Sequence, residues 1–400
     1  MSATVARSLG ASLRARREAL NLDLSSLAVA TGLGEHRLAA LEAGREEPAV
    51  GELRELSRYL FADLVGFDPE EEPEPRPRPQ VRTLLRAAER VLPPRTWPAV
   101  VEAAEVASAV VELEGWRGLP SRWDRLRRRF APDARVGDPA WRDGERLAEL
   151  VRRELKLGDQ AIPSMFTLCE ALGVAIIETW LPEQVSALCL ADASHGPAVV
   201  LNRAGRNEDP LVRRFSLAHE LCHVLFDRHE LNGIQDFDRY PTFRDLRDKP
   251  PVEQRADAFS AHLLAPTGAF RACWGASLED DRGRVAAMSR AFGLSYVAAW
   301  YHTITARCLP TGSAPGSGEF RCDARECFAA AERAVTDNSL FEDVSLVRRG
   351  PLLQHTLRAL EEGVITRSRA LELLDLEGEV LDAHHSTWLA ALPSDPPKGP

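Results

Sequence analysis

Four hundred residues, 44% hydrophobic and 28% charged, are enough to bury a sizeable core, and a chain of that length is expected to divide into several domains. Fifty Lys and Arg against 60 Asp and Glu leave a formal net charge of -10, which excludes a general basic coat and confines any nucleic-acid contact to a local face. Seven cysteines at scattered spacings exclude a disulfide-built extracellular framework, and no apolar run reaches the roughly 18 residues of a membrane span, so the chain reads as cytoplasmic.

From Val5 to Phe67, Leu, Ala, Arg and Glu recur at helical spacing, broken by Gly32-Leu33-Gly34 and by Gly44. Residues 1–67 therefore read as a small all-helical unit. Two short helical segments flank the first glycine break and the second ends near Gly44, the pattern of a helix-turn-helix whose second helix enters the major groove. Glu35, His36 and Arg37 are the candidates for base edges, and Arg16, Arg17 and Arg45 for phosphates on double-stranded DNA. Many acidic residues lie alongside, so a protein-interaction or dimerisation module stands as the second reading; a homodimer would reinforce a weak single footprint.

Residues 68–80 follow as a stiff linker, because Pro69, Pro73, Pro75, Pro77 and Pro79 alternate with mostly charged residues and disfavour both helix and sheet. Residues 81–140 form a helical connecting region, with patterns at Val100–Leu113 and Trp123–Phe130. Trp97, Trp116, Trp123 and Trp141 at their edges are expected to pack into the core rather than line a ligand pocket. Over 141–310 the pattern becomes α+β: a helix from Ile162 to Leu172, strands over Val174–Glu178, Val185–Leu190 and Ala198–Asn202, then helices from Leu211 to about Arg307. Residues 311–320 are a Gly/Ser/Pro linker, 321–390 a helical C-terminal region with Thr366 as a candidate cap, and 391–400 a flexible tail. The fold class is thus multidomain: an all-α helix-turn-helix domain, an α+β domain, which the His219-Glu220-Leu-Cys-His223 motif within it makes zincin-like, and a helical C-terminal region.

The chemistry concentrates in Phe215-Ser-Leu-Ala-His219-Glu220-Leu-Cys-His223-Val-Leu-Phe226. Residues four apart share a helical face, so His219 and His223 can present two imidazoles to one Zn²⁺ while Glu220 faces the attacking water as general base. Leu217, Ala218, Leu221, Val224 and Leu225 give that helix an apolar surround, suited to burial. A catalytic zinc needs a third protein ligand, and Glu253, in a second helical stretch ending at Pro266, is the best candidate. Asp257, one turn on, can accept a hydrogen bond from a ligand histidine; an ordinary solvated acidic face is the competing reading of Glu253 and Asp257. His262, Tyr240 and His229 are candidates for stabilising a transition-state oxyanion. Cys222 points off the histidine face and reads as core filling. The ligand set suits Zn²⁺, with Mn²⁺ as the alternative ion. The polar stretch from Asp227 to Pro251 reads equally as a lid or as a surface excursion.

These motifs, in order, resemble the ImmA/IrrE family of zinc metallopeptidases from about Trp141 to Leu309. The resemblance rests on Leu172-Gly173-Val174, Asn202 ahead of Arg214-Phe215, Ala218-His-Glu-Leu-Cys-His223, Glu253-x-x-Ala-Asp-x-Phe-Ser-Ala-x-Leu-Leu-Ala-Pro266 and Val285 to Tyr301. Cys222 stands where glycine is usual, Asp257 where asparagine is frequent and Ala265 where methionine is usual. Residues 9 to 66 resemble the Xre/Cro-like helix-turn-helix class, with Leu24 in place of the common glutamine. The resemblance implies His219, His223 and Glu253 as metal ligands and Glu220 as the catalytic glutamate. It further implies cleavage of a repressor or antitoxin-like protein to control transcription in a stress response. The alternative is a DNA-binding regulator whose peptidase-like domain senses a ligand or metal without proteolysis.

Overall fold

The computed structural model describes residues 3–20, 22–62, 81–86, 96–130, 139–183, 185–191, 193–227, 237–240, 250–310, 324–332 and 337–392. The chain opens with α1 (Ala3–Ala19), α2 (Leu24–Thr31), α3 (Glu35–Glu42) and α4 (Val50–Tyr59). Asp23 starts α2 by accepting the Ser26 amide at 2.7 Å, and Gly32, in the left-handed region, ends it. Strand β1 (Val81–Arg86) precedes α5 (Thr96–Trp116), α6 (Arg122–Arg129), α7 (Ala140–Glu154) and α8 (Met165–Leu172). Then come β2 (Ala175–Thr179), β3 (Val185–Leu190), β4 (Ala198–Asn202), α9 (Pro210–Cys222), β5 (Phe237–Tyr240) and α10 (Pro251–Leu264). The chain continues through α11 (Thr267–Ala276), α12 (Asp281–Phe292), α13 (Tyr296–Thr305), α14 (Ala324–Ala329), α15 (Pro351–Glu361), α16 (Arg367–Leu374) and α17 (Gly378–Ala391). Thr366 caps α16 by accepting the Arg369 amide. No helix among the described residues is long and apolar enough to cross a membrane.

The sheet is mixed, in the order β2-β4-β3-β1-β5, with β2 parallel to β4, β3 antiparallel to both β4 and β1, and β5 parallel to β1. Two of its strands were not expected. Residues 81–86 open the stretch read above as helical, and 237–240 lie in the polar segment read as lid or surface excursion. Both are short and lack a marked period of their own, so pairing along the open side of β3 decides their state.

Both faces of the sheet are covered. Ala175, Ile177, Leu188, Leu190, Ala198 and Val200 join a core that also holds α1–α5 and α15–α17, whereas Ile176, Ala187, Cys189, Val199 and Leu201 join the core of α6–α13. The period of two along each strand therefore distributes side chains between two apolar layers rather than between core and water. The N-terminal helices are tied to α5 by a forked Arg58–Glu105 pair at 2.6 Å and by the Trp97 indole donating to the Tyr59 carbonyl at 3.1 Å. Of the four tryptophans expected in the core, Trp97 and Trp123 are buried. Trp116 and Trp141, 52% and 43% exposed, are not, because they sit in the last turn of α5 and the first turn of α7, beyond the packed faces.

Helices α7 and α10 cross closely at Gly144. A Cβ there would stand 2.2 Å from the Arg255 carbonyl oxygen and 2.8 Å from the Ala258 Cβ, so this contact requires glycine. The crossing fixes the turn of α10 that carries Glu253.

Candidate metal centre

Helix α9 begins with Pro210 at its first position and Asp209 accepting the Leu211 amide, a favourable start that leaves no orphan donor at Pro210. Leu217, Ala218, Leu221 and Cys222 are fully buried, confirming Cys222 as core filling. From His223 to Asp227 the helix widens into a π-turn, a local irregularity that often accompanies functional sites.

Three functional side chains converge there, His219, His223 and, from α10, Glu253; all three are buried, as is Glu220 between the two histidines in sequence. His219 Nε2 lies 3.1 Å from Glu253 Oε2, His223 Nε2 lies 3.0 Å from His219 Nε2, and His223 Nε2 lies 3.5 Å from Glu253 Oε1. Tetrahedral zinc with ligand bonds near 2.0–2.1 Å separates its donors by about 3.3 Å, so these spacings fit the ion. The same three residues are the one group among the described residues whose donor atoms gather as a metal would require. Two imidazoles and one carboxylate leave an open fourth position, as hydrolytic zinc needs.

The other nitrogen of each histidine is held by a carboxylate. His219 Nδ1 is 3.2 Å from Asp257 Oδ1, and His223 Nδ1 is 2.6 Å from Asp227 Oδ2. Such outer contacts fix the tautomer and the ring orientation. Arg255 bonds the second oxygen of Asp227 and approaches Asp143 of α7 at 3.7 Å, which extends the chain of support across the α7–α10 crossing. Burial opposes protonation of His219, but the hydrogen bonds of Asp257 and Glu253 outweigh it and lift its pKa to about 9. The site thus favours a positive charge between its carboxylates, which a metal ion supplies by displacing the proton.

Asp227 and Arg255 were missed in the sequence. The available signal was a carboxylate four residues beyond a ligand histidine, on the same helical face. Arg214, earlier on α9, is a further hub: fully buried, it donates to the carbonyls of Ile162 at 2.6 Å, Pro163 at 3.1 Å and Gly293 at 3.3 Å, pairs with Glu332, and packs on the Phe328 ring. Glu332 also accepts the Met165 amide at the start of α8.

Of the oxyanion candidates, His262 is not brought to the metal ligands. His262 is nine residues beyond Glu253 on α10, about 13.5 Å along the axis and half a turn round. It packs instead on His302, with ring centroids 4.7 Å apart. Tyr240 ends β5, and His229 lies outside the described residues.

At the amino end, Arg16 donates to the carbonyls of Leu60 and Phe61, Arg17 forks onto Glu42 at 2.7 and 2.9 Å, and Arg37 forks onto Glu52 and also pairs with Glu46. These three guanidinium groups brace the helices. Glu35, His36 and Arg45 are exposed.

No match to the chain is found among curated proteins or among solved structures. Residues 169–302, from the middle of α8 into α13, match one family model, Peptidase_M78, described as the IrrE N-terminal-like domain; within it His219, Glu220, His223 and Glu253 form the active-site set of a zinc-dependent metallopeptidase.

Proposed function

We propose that the chain is a zinc-dependent endopeptidase with a zincin-like catalytic domain that cuts a repressor or antitoxin-like regulatory protein in the cytoplasm and so controls transcription under stress. The observation that carries this reading is the convergence of His219, His223 and Glu253 beside the buried Glu220.

His219, His223 and Glu253 would hold the zinc ion, which when bound supplies Lewis acidity to the scissile carbonyl and acidifies the attacking water. Glu220 takes the water's proton on its carboxylate and returns it to the leaving amide nitrogen. Asp257 and Asp227 keep the two imidazoles in the tautomer that leaves Nε2 free to ligate. Burial of the whole set strengthens each of these electrostatic contacts.

The N-terminal unit is read as an Xre/Cro-like helix-turn-helix that localises the enzyme on DNA, as a homodimer on two half-sites. With Arg16, Arg17 and Arg37 engaged internally, its contacts fall to His36 and Arg45 on the exposed side, with Glu35 restricting what α3 accepts. The chain would divide at 67, 80, 140, 310, 320 and 390, with the 81–140 region lending β1 to the sheet of the 141–310 domain.

The test compares zinc-loaded wild type with Glu220→Gln and Glu253→Ala, each incubated with a peptide library and assayed for new termini by mass spectrometry. Wild type should cut; Glu220→Gln should retain zinc and lose about 10²–10⁴ in rate; Glu253→Ala should lose zinc. Absence of cleavage by zinc-loaded wild type across the library would overturn proteolysis and leave the sensing reading.

A further inference from the structure

A cavity of about 190 Å³ opens where α7 and the turn after it meet the α10–α11 corner, lined by Glu149, Arg152, Asp159, His262, Thr267 and Gly268 among others. It belongs to neither the metal centre nor the proposed DNA face.

Its floor is built from oriented polar groups. His262 is 5% exposed. Its Nδ1 lies 2.9 Å from the Thr267 hydroxyl, which in turn donates to Glu145 Oε1 at 2.9 Å. A hydroxyl has one proton, and Thr267 spends it on the carboxylate, so Nδ1 carries the imidazole proton and Nε2 is left as a bare acceptor. Nε2 has no hydrogen-bond partner among the described residues, and His262 lines the cavity. Burial pushes the His262 pKa down to about 4, which keeps the ring neutral near pH 7.

The corner supplies the opposite polarity. Pro266 precedes α11 and offers no side-chain acceptor, so the first amides of this ten-residue helix, at Thr267 and Gly268, are left open where they line the cavity. A Cβ added at Gly268 would meet nothing within 4 Å, so the space beside that turn is empty. Arg152 forms wall rather than a binding group, since its guanidinium is bonded to the carbonyls of Gly158, Gln160 and Leu263. Glu149 and Asp159 stand exposed at the mouth.

A simple anion would meet the two carboxylates and the bare nitrogen; a simple amine would meet the positive end of α11. We propose that this cavity binds a free small α-amino acid, its carboxylate on the Thr267 and Gly268 amides and its ammonium on His262 Nε2, with Glu149 and Asp159 supplying the counter-charge. Because α10 carries Glu253 and Gly144 locks α7 against it, the ligand would brace the crossing that supports the metal centre.

Isothermal titration of the full chain at neutral pH with glycine, alanine, serine, ethylamine and acetate tests this directly. At least one amino acid should bind saturably, with ethylamine and acetate each about tenfold or more weaker. His262→Asn, which removes Nε2, and the surface change Glu149→Gln should each weaken amino-acid binding about fivefold or more while zinc content is unchanged. No saturable amino-acid binding, equal binding of acetate or ethylamine, or wild-type affinity in Glu149→Gln together with a folded His262→Asn would overturn the proposal. Zinc content and peptide cleavage are read separately, so failure here leaves the peptidase reading untouched.

Discussion

Asp227 is the group whose removal most sharply tests the architecture of the metal centre. Its side chain is fully buried, with one oxygen 2.6 Å from His223 Nδ1 and the other on Arg255. Asp227→Asn keeps the shape but removes the charge that holds the ring and raises the basicity of its ligating nitrogen. Loss of such an outer partner typically lowers metal affinity about 10–100-fold, or roughly 1.4–2.8 kcal/mol. Asp257 does the same for His219, but its bond is longer at 3.2 Å and its side chain is 21% exposed, so water can replace much of the contact. Asp257→Asn should therefore lose less affinity than Asp227→Asn. Zinc competition against a chromophoric chelator measures both constants on the same preparation. Equal affinities for wild type and Asp227→Asn, or a larger loss in Asp257→Asn, would refute the view that these carboxylates act in proportion to burial and geometry.

Three further outcomes follow from the packing. Gly144→Ala should destabilise by about 1–3 kcal/mol through the clash with the Arg255 carbonyl, and also weaken zinc binding. Helix propensity alone predicts a gain of about 1 kcal/mol, so the sign of the shift in urea midpoint decides between the two. Glu332→Gln leaves the buried Arg214 cation without its anion and should cost about 3–5 kcal/mol, read as an earlier denaturation midpoint; an unchanged midpoint would remove that pair from the account. Burial lowers the pKa of His262 to about 4 and of His302 to about 3, so the unfolded chain binds protons first. The stability from keeping both neutral is intact above pH 6.5 and is lost as pH falls from there toward about 4 for His262 and about 3 for His302, on the order of several kcal/mol for the pair. His302→Gln, which can still donate to the Ala265 carbonyl, should flatten the decline between pH 7.5 and pH 5; an identical decline in the variant would count against this origin.

The residues that were legible in the sequence are those whose meaning is local. His219, Glu220 and His223 lie within five positions on one helix, and the strands at Val185–Leu190 and Ala198–Asn202 carry dense apolar runs bounded by turns, so both could be read without knowing what lay opposite. Glu253 required pairing two helices 30 residues apart, which the motif order made legible. What escaped detection depends on partners distant in the chain. Val81–Arg86 is a strand only because β3 offers an open edge, and Arg214 reads as an ordinary helix charge until Glu332 and the carbonyls of Ile162, Pro163 and Gly293 surround it. Arg17, read at phosphates, and Arg37, read at base edges, have partners that were hidden for the same reason. Glu42 and Glu52 lie 25 and 15 residues from Arg17 and Arg37, and no periodicity announces that they meet.

The metal helix is held at both ends by groups outside its motif, and this explains how a five-residue pattern becomes a site. At its start, Arg214 binds three backbone carbonyls and Glu332, so a segment beyond residue 320 fixes where α9 begins. At its end, the π-turn brings Asp227 under His223, and Arg255 passes that restraint to α10 and toward Asp143 on α7. The ligand Glu253 stands on the same helix as Arg255, two residues earlier, so the third ligand and the brace of the second move as one body. Precision of ligand placement follows from rigid support rather than from the ligands themselves. The opposite face of the sheet belongs to the core that also holds the N-terminal and C-terminal helices, so strands whose alternate side chains belong to the two cores are one path from those helices to α9. Arg122 of α6, bonded to Glu114 of α5 and His355 of α15, is a second link between the two cores. Coupling along the sheet between a partner bound at the amino end and the metal centre would run through β2, β3 and β4, and substitutions on their side facing the α5 core, such as Ile177→Val or Val200→Ala, should weaken that path.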